Sequence, residues 1–144
     1  MLLTAIPGMA GSLTVTVVDA NTQAPLGKSA IAVVSGGGSV VAAGRTNAQG
    51  VWNGTVPDAK LTVLAAKDLH VTGRQAVDAG NTSAIKFELA QHSQQDFKRL
   101  GRIVGFARND AGQPVGNATM ILFKGNSPIG TAQPENATGV YELE

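Results

Sequence analysis

Cysteine is absent from the 144-residue chain, which excludes disulfide bonds, thiolate nucleophiles and cysteine-based metal sites. Charged residues are scarce at 15%, and the formal net charge is +1. A balance so close to neutral indicates neither a nucleic-acid partner nor an acidic substrate. Long apolar runs are also missing, and the opening MLLTAIPGMAG lacks the basic residues of a signal peptide. The sequence therefore predicts no membrane insertion.

Small, β-compatible residues make up much of what is present. Glycine occurs 18 times and hydrophobic residues reach 43%. This mixture is typical of short strands joined by tight turns. Period-two alternation of apolar and polar residues in 13–18 and 84–89 indicates half-buried strands.

Alternation along the successive strands predicts a core between two sheets, and thus an all-β sandwich. The positions predicted to face inward are Val15, Val17, Ile31, Val33, Trp52, Leu61, Val63, Ile85 and Phe87.

One stretch occurs twice. Residues 25–52 and 114–141 align without a gap at an offset of 114 − 25 = 89. Such self-similarity identifies the structural unit. The alignment pairs Pro25 with Pro114, Gly27 with Gly116, Asn47 with Asn136, Gly50 with Gly139 and Trp52 with Tyr141, and upstream Val15 with Val104 and Val17 with Phe106.

Both copies follow one order: a strand, an Asp- or Asn-rich turn, Pro with Leu or Val, alternating apolar positions, then Asn-x-x-Gly-x-aromatic. This order resembles the carboxypeptidase regulatory-like domain, a transthyretin-like or Ig-like β-sandwich. Residues 75–89 look like the family's closing hairpin. The resemblance covers residues 11–90 fully and 101–144 in part. It implies a structural, adhesive or accessory module of surface proteins, receptors or phage particles.

We expect four segments: an N-terminal arm (1–10), a complete sandwich (11–90), a linker (91–101) and a partial second sandwich (102–144). The second sandwich is expected to have unpaired edges, which a longer chain, another chain or the arm would fill. The apolar residues of this candidate assembly arm are Met1, Leu2, Leu3 and Ile6, with Pro7 and Gly8 as its elbow.

Polar groups that could suggest catalysis or metal binding have simpler interpretations. His92, Ser93 and Asp96 are expected on a solvated linker rather than in a triad, which requires convergence in space. Asp68 and His70 are expected as a surface pair, because two ligands do not close a metal site. The sequence predicts a protein that is not an enzyme and has no cofactor or metal.

Turn and core positions account for the next candidates. Residues 35–39 predict a hairpin loop, because no helix follows to complete a phosphate cradle. Capping of turns is favoured over Ca²⁺ binding for Asp19 with Asn21 and for Asn109 with Asp110. Core packing is favoured over a sugar-stacking platform for Trp52 and Tyr141.

Two surface features remain open. A basic cluster, Lys98, Arg99 and Arg102, is either a solvated linker or a dock for an acidic neighbour. Four Asn-x-Ser or Asn-x-Thr sites are glycan acceptors only on a secreted chain in a suitable host: Asn53, Asn81, Asn117 and Asn136.

These observations predict a structural module of a larger surface assembly, either in a virion (decoration, tail or fibre) or in a cell-surface filament. Its expected partners are further copies of itself or other structural proteins, met through strand or sheet contacts, and its expected location is the virion or the cell surface. The alternative is a module that binds carbohydrate or another ligand for adhesion.

Overall fold

The computed structural model describes residues 10–93 and 103–143, and these ranges contain strands and no helix. The all-β prediction is confirmed. The strands are β1 (Ala10–Asp19), β2 (Ala30–Ser35), β3 (Val40–Arg45), β4 (Val51–Pro57), β5 (Lys60–Ala66), β6 (Gly73–Asp78), β7 (Ala84–Leu89), β8 (Ile103–Phe106), β9 (Met120–Lys124), β10 (Ser127–Ala132) and β11 (Val140–Leu143).

The first seven strands form two sheets around the main core. One sheet has the order β4-β1-β7 and the other the order β3-β2-β5-β6. In the first sheet β4 is antiparallel to β1, whereas β7 runs parallel to it. Neighbours in the second sheet are all antiparallel. Side chains from both sheets pack in one hydrophobic cluster, so the two sheets face each other.

The predicted inward faces are confirmed. Ile85 is half-buried against the core cluster, and the other eight predicted residues are members of it. Burial follows from the pleat of the strands, since alternate residues point to the same face. The eight are Val15, Val17, Ile31, Val33, Trp52, Leu61, Val63 and Phe87.

The opposite face of the four-stranded sheet is buried as well. Ala32, Val34 and Leu64 alternate with core residues along β2 and β5, and each is 0% exposed. Strand β10 packs against β2 and β5 on this outer face. The Arg45 guanidinium joins the two parts further by donating to the Pro134 carbonyl oxygen at 2.7 Å. Residues 103–143 therefore pack directly on residues 10–93.

The C-terminal strands form two separate pairs, β8 with β11 and β9 with β10, both antiparallel. Some of their backbone hydrogen bonds match bonds in the N-terminal part. Val17 N–H donates to Gly50 O at 2.7 Å, and Ala107 N–H donates to Gly139 O at the same distance. Both glycines have positive φ, 73° and 71°, and a side chain at either would collide with the carbonyl oxygen that its partner strand presents.

These hydrogen bonds correct the gapless alignment. Leu26 N–H donates to Val17 O, and Val115 N–H donates to Ala107 O, so Val17 corresponds to Ala107. The pairing of Val17 with Phe106, and of Val15 with Val104, is wrong by one residue. The reason lies in the turn, which closes from Asp19 N to Ala24 O in the first copy but from Asn109 N to Gln113 O in the second, one residue sooner.

The corrected register explains the exposed residues of β8. Val104 and Phe106 are 52% and 63% exposed because they take the places of Thr14 and Thr16, whose side chains point away from the core. β8 and β9 lie in different sheets. β8 pairs with β11 and β9 pairs with β10.

Several predictions lie outside the described residues. The assembly arm, most of the 91–101 linker, Asp96 and the basic cluster of Lys98, Arg99 and Arg102 all fall there.

Candidate interaction sites

A buried carboxylate organises the end of β1. Asp19 is 3% exposed, and its Oδ1 accepts hydrogen bonds from the N–H groups of Asn21 and Thr22 at 2.8 and 2.9 Å. The turn-capping prediction is confirmed here. Asn109 does the same in the second copy, where its Oδ1 accepts from Ala111 N–H and Gln113 N–H.

The second oxygen of Asp19 binds two distant side chains. Oδ2 lies 2.9 Å from His70 Nε2 and 3.2 Å from Gln91 Nε2. The Thr22 N–H and then His70 hold the pKa of Asp19 well below its usual range, against the opposing effect of burial. His70 Nδ1 lies 2.8 Å from the Asp68 carbonyl oxygen, so both ring nitrogens face oxygen acceptors.

This cluster fastens the chain segments that follow β5 and β7 to the turn after β1. The sequence prediction paired His70 with Asp68 as side chains on the surface, but the contact to Asp68 is through its backbone oxygen. The side-chain partner is Asp19, 51 residues away. The described residues hold no group of three or more His, Cys, Asp or Glu suited to a metal ion.

An open cleft of about 1290 Å³ lies between the two parts of the chain. Lys28, Arg45 and Lys67 line the N-terminal wall, and Glu135 and Glu142 stand on the other side. Two of the cations are engaged with backbone oxygens, since Lys67 Nζ donates to Gly27 O at 2.7 Å and Arg45 donates to Pro134 O. The cleft is therefore lined by charged groups of both signs.

The paired aromatics differ in exposure. Trp52 is 8% exposed within the core, and a side chain at Gly44 or Gly54 would collide with its ring. The core prediction is confirmed for Trp52. Tyr141 is half-buried, lies over Gly105, and lines the cleft. The two aromatics therefore do not form one platform.

The remaining candidates lie in separate segments of the chain. His92 N–H donates to Leu69 O at 2.9 Å, and Asp96 lies outside the described residues, so the expectation that His92, Ser93 and Asp96 form no triad stays a prediction. The glycine-rich loop is a hairpin end, with Ser35 N–H donating to Ser39 O at 2.8 Å. The four glycan-acceptor asparagines are all exposed: Asn53, Asn81, Asn117 and Asn136. Glycosylation remains a prediction.

The strands of the C-terminal part leave apolar side chains in contact with solvent. Ile103 is 44% exposed although it takes the place of Leu13, which is fully buried. The Arg108 guanidinium lies 5.6 Å from the centre of the Phe106 ring, a cation–π contact on the outer face. None of the described residues belongs to a helix capable of crossing a bilayer.

Comparison with known proteins supports the fold only. No family model and no curated protein matches the chain. Among solved structures, the chain is similar to part of a protein described as the Bacillus anthracis TIE protein, with a TM-score of 0.51 and 18% sequence identity. The similarity covers 92% of this chain and 26% of that chain, so this chain spans about a quarter of its length.

Proposed function

We propose that the chain is a non-enzymatic structural module of a larger surface assembly, either a virus particle (decoration, tail or fibre) or a cell-surface filament. The observation that carries this proposal is the packing of β10 over the outer face formed by Ala32, Val34 and Leu64. An isolated sandwich presents a polar outer face to water. Here that face is apolar and is covered by the following unit, as expected of modules that pack in series.

The finer fold assignment belongs to this proposal. Two Ig-like or transthyretin-like units in tandem, the second partial, would account for the equivalent bonds of Val17 with Gly50 and of Ala107 with Gly139. A carboxypeptidase regulatory-like module agrees with these turns. The similarity to a quarter of a longer chain agrees with a module that is repeated or combined in larger proteins.

Immunogold labelling of intact cells and of particles from the source organism tests the proposal. We expect antibodies against the purified chain to label a regular surface structure. We also expect that structure to keep the protein at high salt and release it in denaturant, because contacts made by apolar sheets are not screened. Label confined to the cell interior would contradict the proposal.

The predicted N-terminal arm is one means of joining copies. Residues 1–8, which lie outside the described residues, are apolar at Met1, Leu2, Leu3 and Ile6. Deleting residues 1–8 should reduce the particle mass measured by light scattering if the arm joins copies. An unchanged mass would exclude the arm as the means of joining copies, but it would not contradict the proposed surface assembly.

The polar cleft favours one alternative function, the binding of a carbohydrate. Tyr141 lines the cleft beside Gln133, Glu142 and Asn136, and aromatic rings with amides and carboxylates are suited to neutral sugars. Screening the chain on a glycan array tests this, with Tyr141→Ala as the variant expected to lose binding. Equal glycan binding by the chain and the variant would exclude the cleft as the glycan-binding site.

A further inference from the structure

β8 lacks one of the two neighbours that its equivalent strand has. β1 lies between β4 and β7, whereas β8 pairs with β11 alone among the described strands. In the N-terminal part, the edge of β1 that corresponds to the unpaired edge of β8 is paired with β7. β7 runs parallel to β1, with Val15 beside Ile85 and Val17 beside Phe87.

Backbone direction identifies the free hydrogen-bonding groups. Thr14 N–H and Ala20 N–H donate toward β7, to Ser83 O at 2.9 Å and Leu89 O at 3.0 Å, whereas Val17 N–H donates toward β4. Even-numbered residues of β1 therefore serve the β7 edge.

In β8 the same alternation exposes a row of backbone groups. Ala107 N–H donates to Gly139 O beside β11, so the N–H and C=O groups of Val104 and Phe106 point to the opposite edge. An edge with unpaired backbone groups is a template for another strand.

The side chains beside this edge are apolar or small, and an apolar partner strand would bury them. The equivalent positions are Leu13 and Ile103, Val15 and Gly105, and Val17 and Ala107. In the N-terminal part, Phe87 and Leu89 of β7 cover this row and are themselves 3% and 2% exposed. In the C-terminal part Ile103 is 44% exposed, and Ala107 is smaller than the valine it replaces. Apolar side chains of a partner strand would lie beside Ile103 and reduce its exposure there.

We propose that the free edge of β8 binds an extended segment that runs parallel to β8 and carries apolar side chains at alternate positions, as β7 does beside β1. Main-chain hydrogen bonds to Val104 and Phe106 supply affinity, and the alternate side chains supply specificity. An acidic residue at the place of Glu88 would lie beside Arg108, because Val18, the equivalent of Arg108, is the register partner of Glu88. This inference rests on the proposed function, since it specifies how a neighbour attaches.

A labelled peptide of residues 81–90, NTSAIKFELA, is the probe. We expect saturable binding to the full chain, measured by fluorescence anisotropy. The matched control peptide carries Ile85→Asp and Phe87→Asp and should bind at least about tenfold more weakly, because it places carboxylates against the apolar row.

Two variants of the chain test the edge itself. Phe106→Pro removes an N–H at the free edge and none that bonds β11, and proline is tolerated at such an edge. It should weaken peptide binding by about tenfold or more, the effect of one lost hydrogen bond plus the steric effect of the ring. Phe106→Ala keeps the N–H and should bind within a few-fold of the original chain. Circular dichroism and thermal melting check folding, and Val104→Pro replaces Phe106→Pro if the latter unfolds.

Each outcome decides the inference. Loss of binding in Phe106→Pro with retention in Phe106→Ala supports it. Conversion of a self-associated chain to a monomer by Phe106→Pro, but not by Phe106→Ala, also supports it. A monomeric chain that binds no peptide, or equal binding by both variants, overturns it. These results are independent of immunogold labelling, so a surface protein without strand addition and a strand-binding protein elsewhere are distinguishable.

Discussion

The substitution Leu64→Ala measures how much the packing of the C-terminal part on the outer sheet face contributes to the free energy of unfolding. Leu64 is 0% exposed on the face covered by β10, and Leu61 is 3% exposed in the core of the same strand. Truncating a buried leucine costs about 2–5 kcal/mol. In residues 1–144 we therefore expect Leu64→Ala and Leu61→Ala to lower the free energy of unfolding by similar amounts in that range.

The comparison is repeated in residues 10–93, where β10 is no longer present. Leu61→Ala should still cost about 2–5 kcal/mol, because both core sheets remain. Leu64→Ala should cost about 0.5 kcal/mol or less, because its side chain now faces solvent. Urea unfolding followed by Trp52 fluorescence gives the change in unfolding free energy for each substitution in each chain. The cost of Leu64→Ala in residues 1–144 minus its cost in residues 10–93 is the coupling between the two parts.

Two results would refute this reasoning. A negligible effect of Leu64→Ala in the full chain would mean that β10 does not seal the face. An equally large effect in both chains would mean that the N-terminal part buries Leu64 by itself.

Three further outcomes are expected. Val17→Asp should destabilise the chain by several kcal/mol, because Val17 is 0% exposed in the core, and an unchanged melting temperature would contradict the assigned face. Gly139→Ala should cost more than about 1 kcal/mol, since φ is 71° and the methyl would meet Ala107 O, whereas Gly112→Ala at φ 78° meets no neighbour and should cost less in parallel thermal melts. The folded-state pKa of Asp19 lies below its ordinary value of 3.8, so its carboxylate stabilises the fold above that pH and the contribution is lost as the pH falls. Asp19→Asn keeps a turn acceptor but should lower stability at pH 7 and flatten the acid dependence of the melting temperature, an effect that an Asp110→Asn control should not reproduce.

Local pattern predicted the core well and the outer face poorly. Alternation along the strands identified inward residues such as Val15 and Val63, because the pleat places alternate side chains on one face. The run Ala30–Val34 is apolar throughout, and period-two alternation alone identifies only its inward positions, Ile31 and Val33. A continuous apolar run is the mark of a strand buried on both faces, and it was the available signal for the cover supplied by β10.

Contacts between distant residues could not be predicted in this way. Gln91 lies 72 residues from Asp19, and no local periodicity indicates that their side chains meet. The cleft likewise depends on how residues 103–143 sit on residues 10–93, which a single sequence does not specify. The one-residue shift at β8 does have a sequence signal, because the chain has six residues from Asp19 to Ala24 and five from Asn109 to Gln113.

The shorter turn has a practical consequence for grafting one half onto the other. Before this turn, the numbers of equivalent residues differ by 107 − 17 = 90. After it, they differ by 114 − 25 = 89. A chimera that moves residues 103–107 into 13–17 keeps each side chain on its own face. A chimera built on the constant offset would place Phe106 at the buried position of Val17, and every side chain of the strand would then point to the opposite face. Mutational results transferred between the two halves need the same change of numbering at the turn.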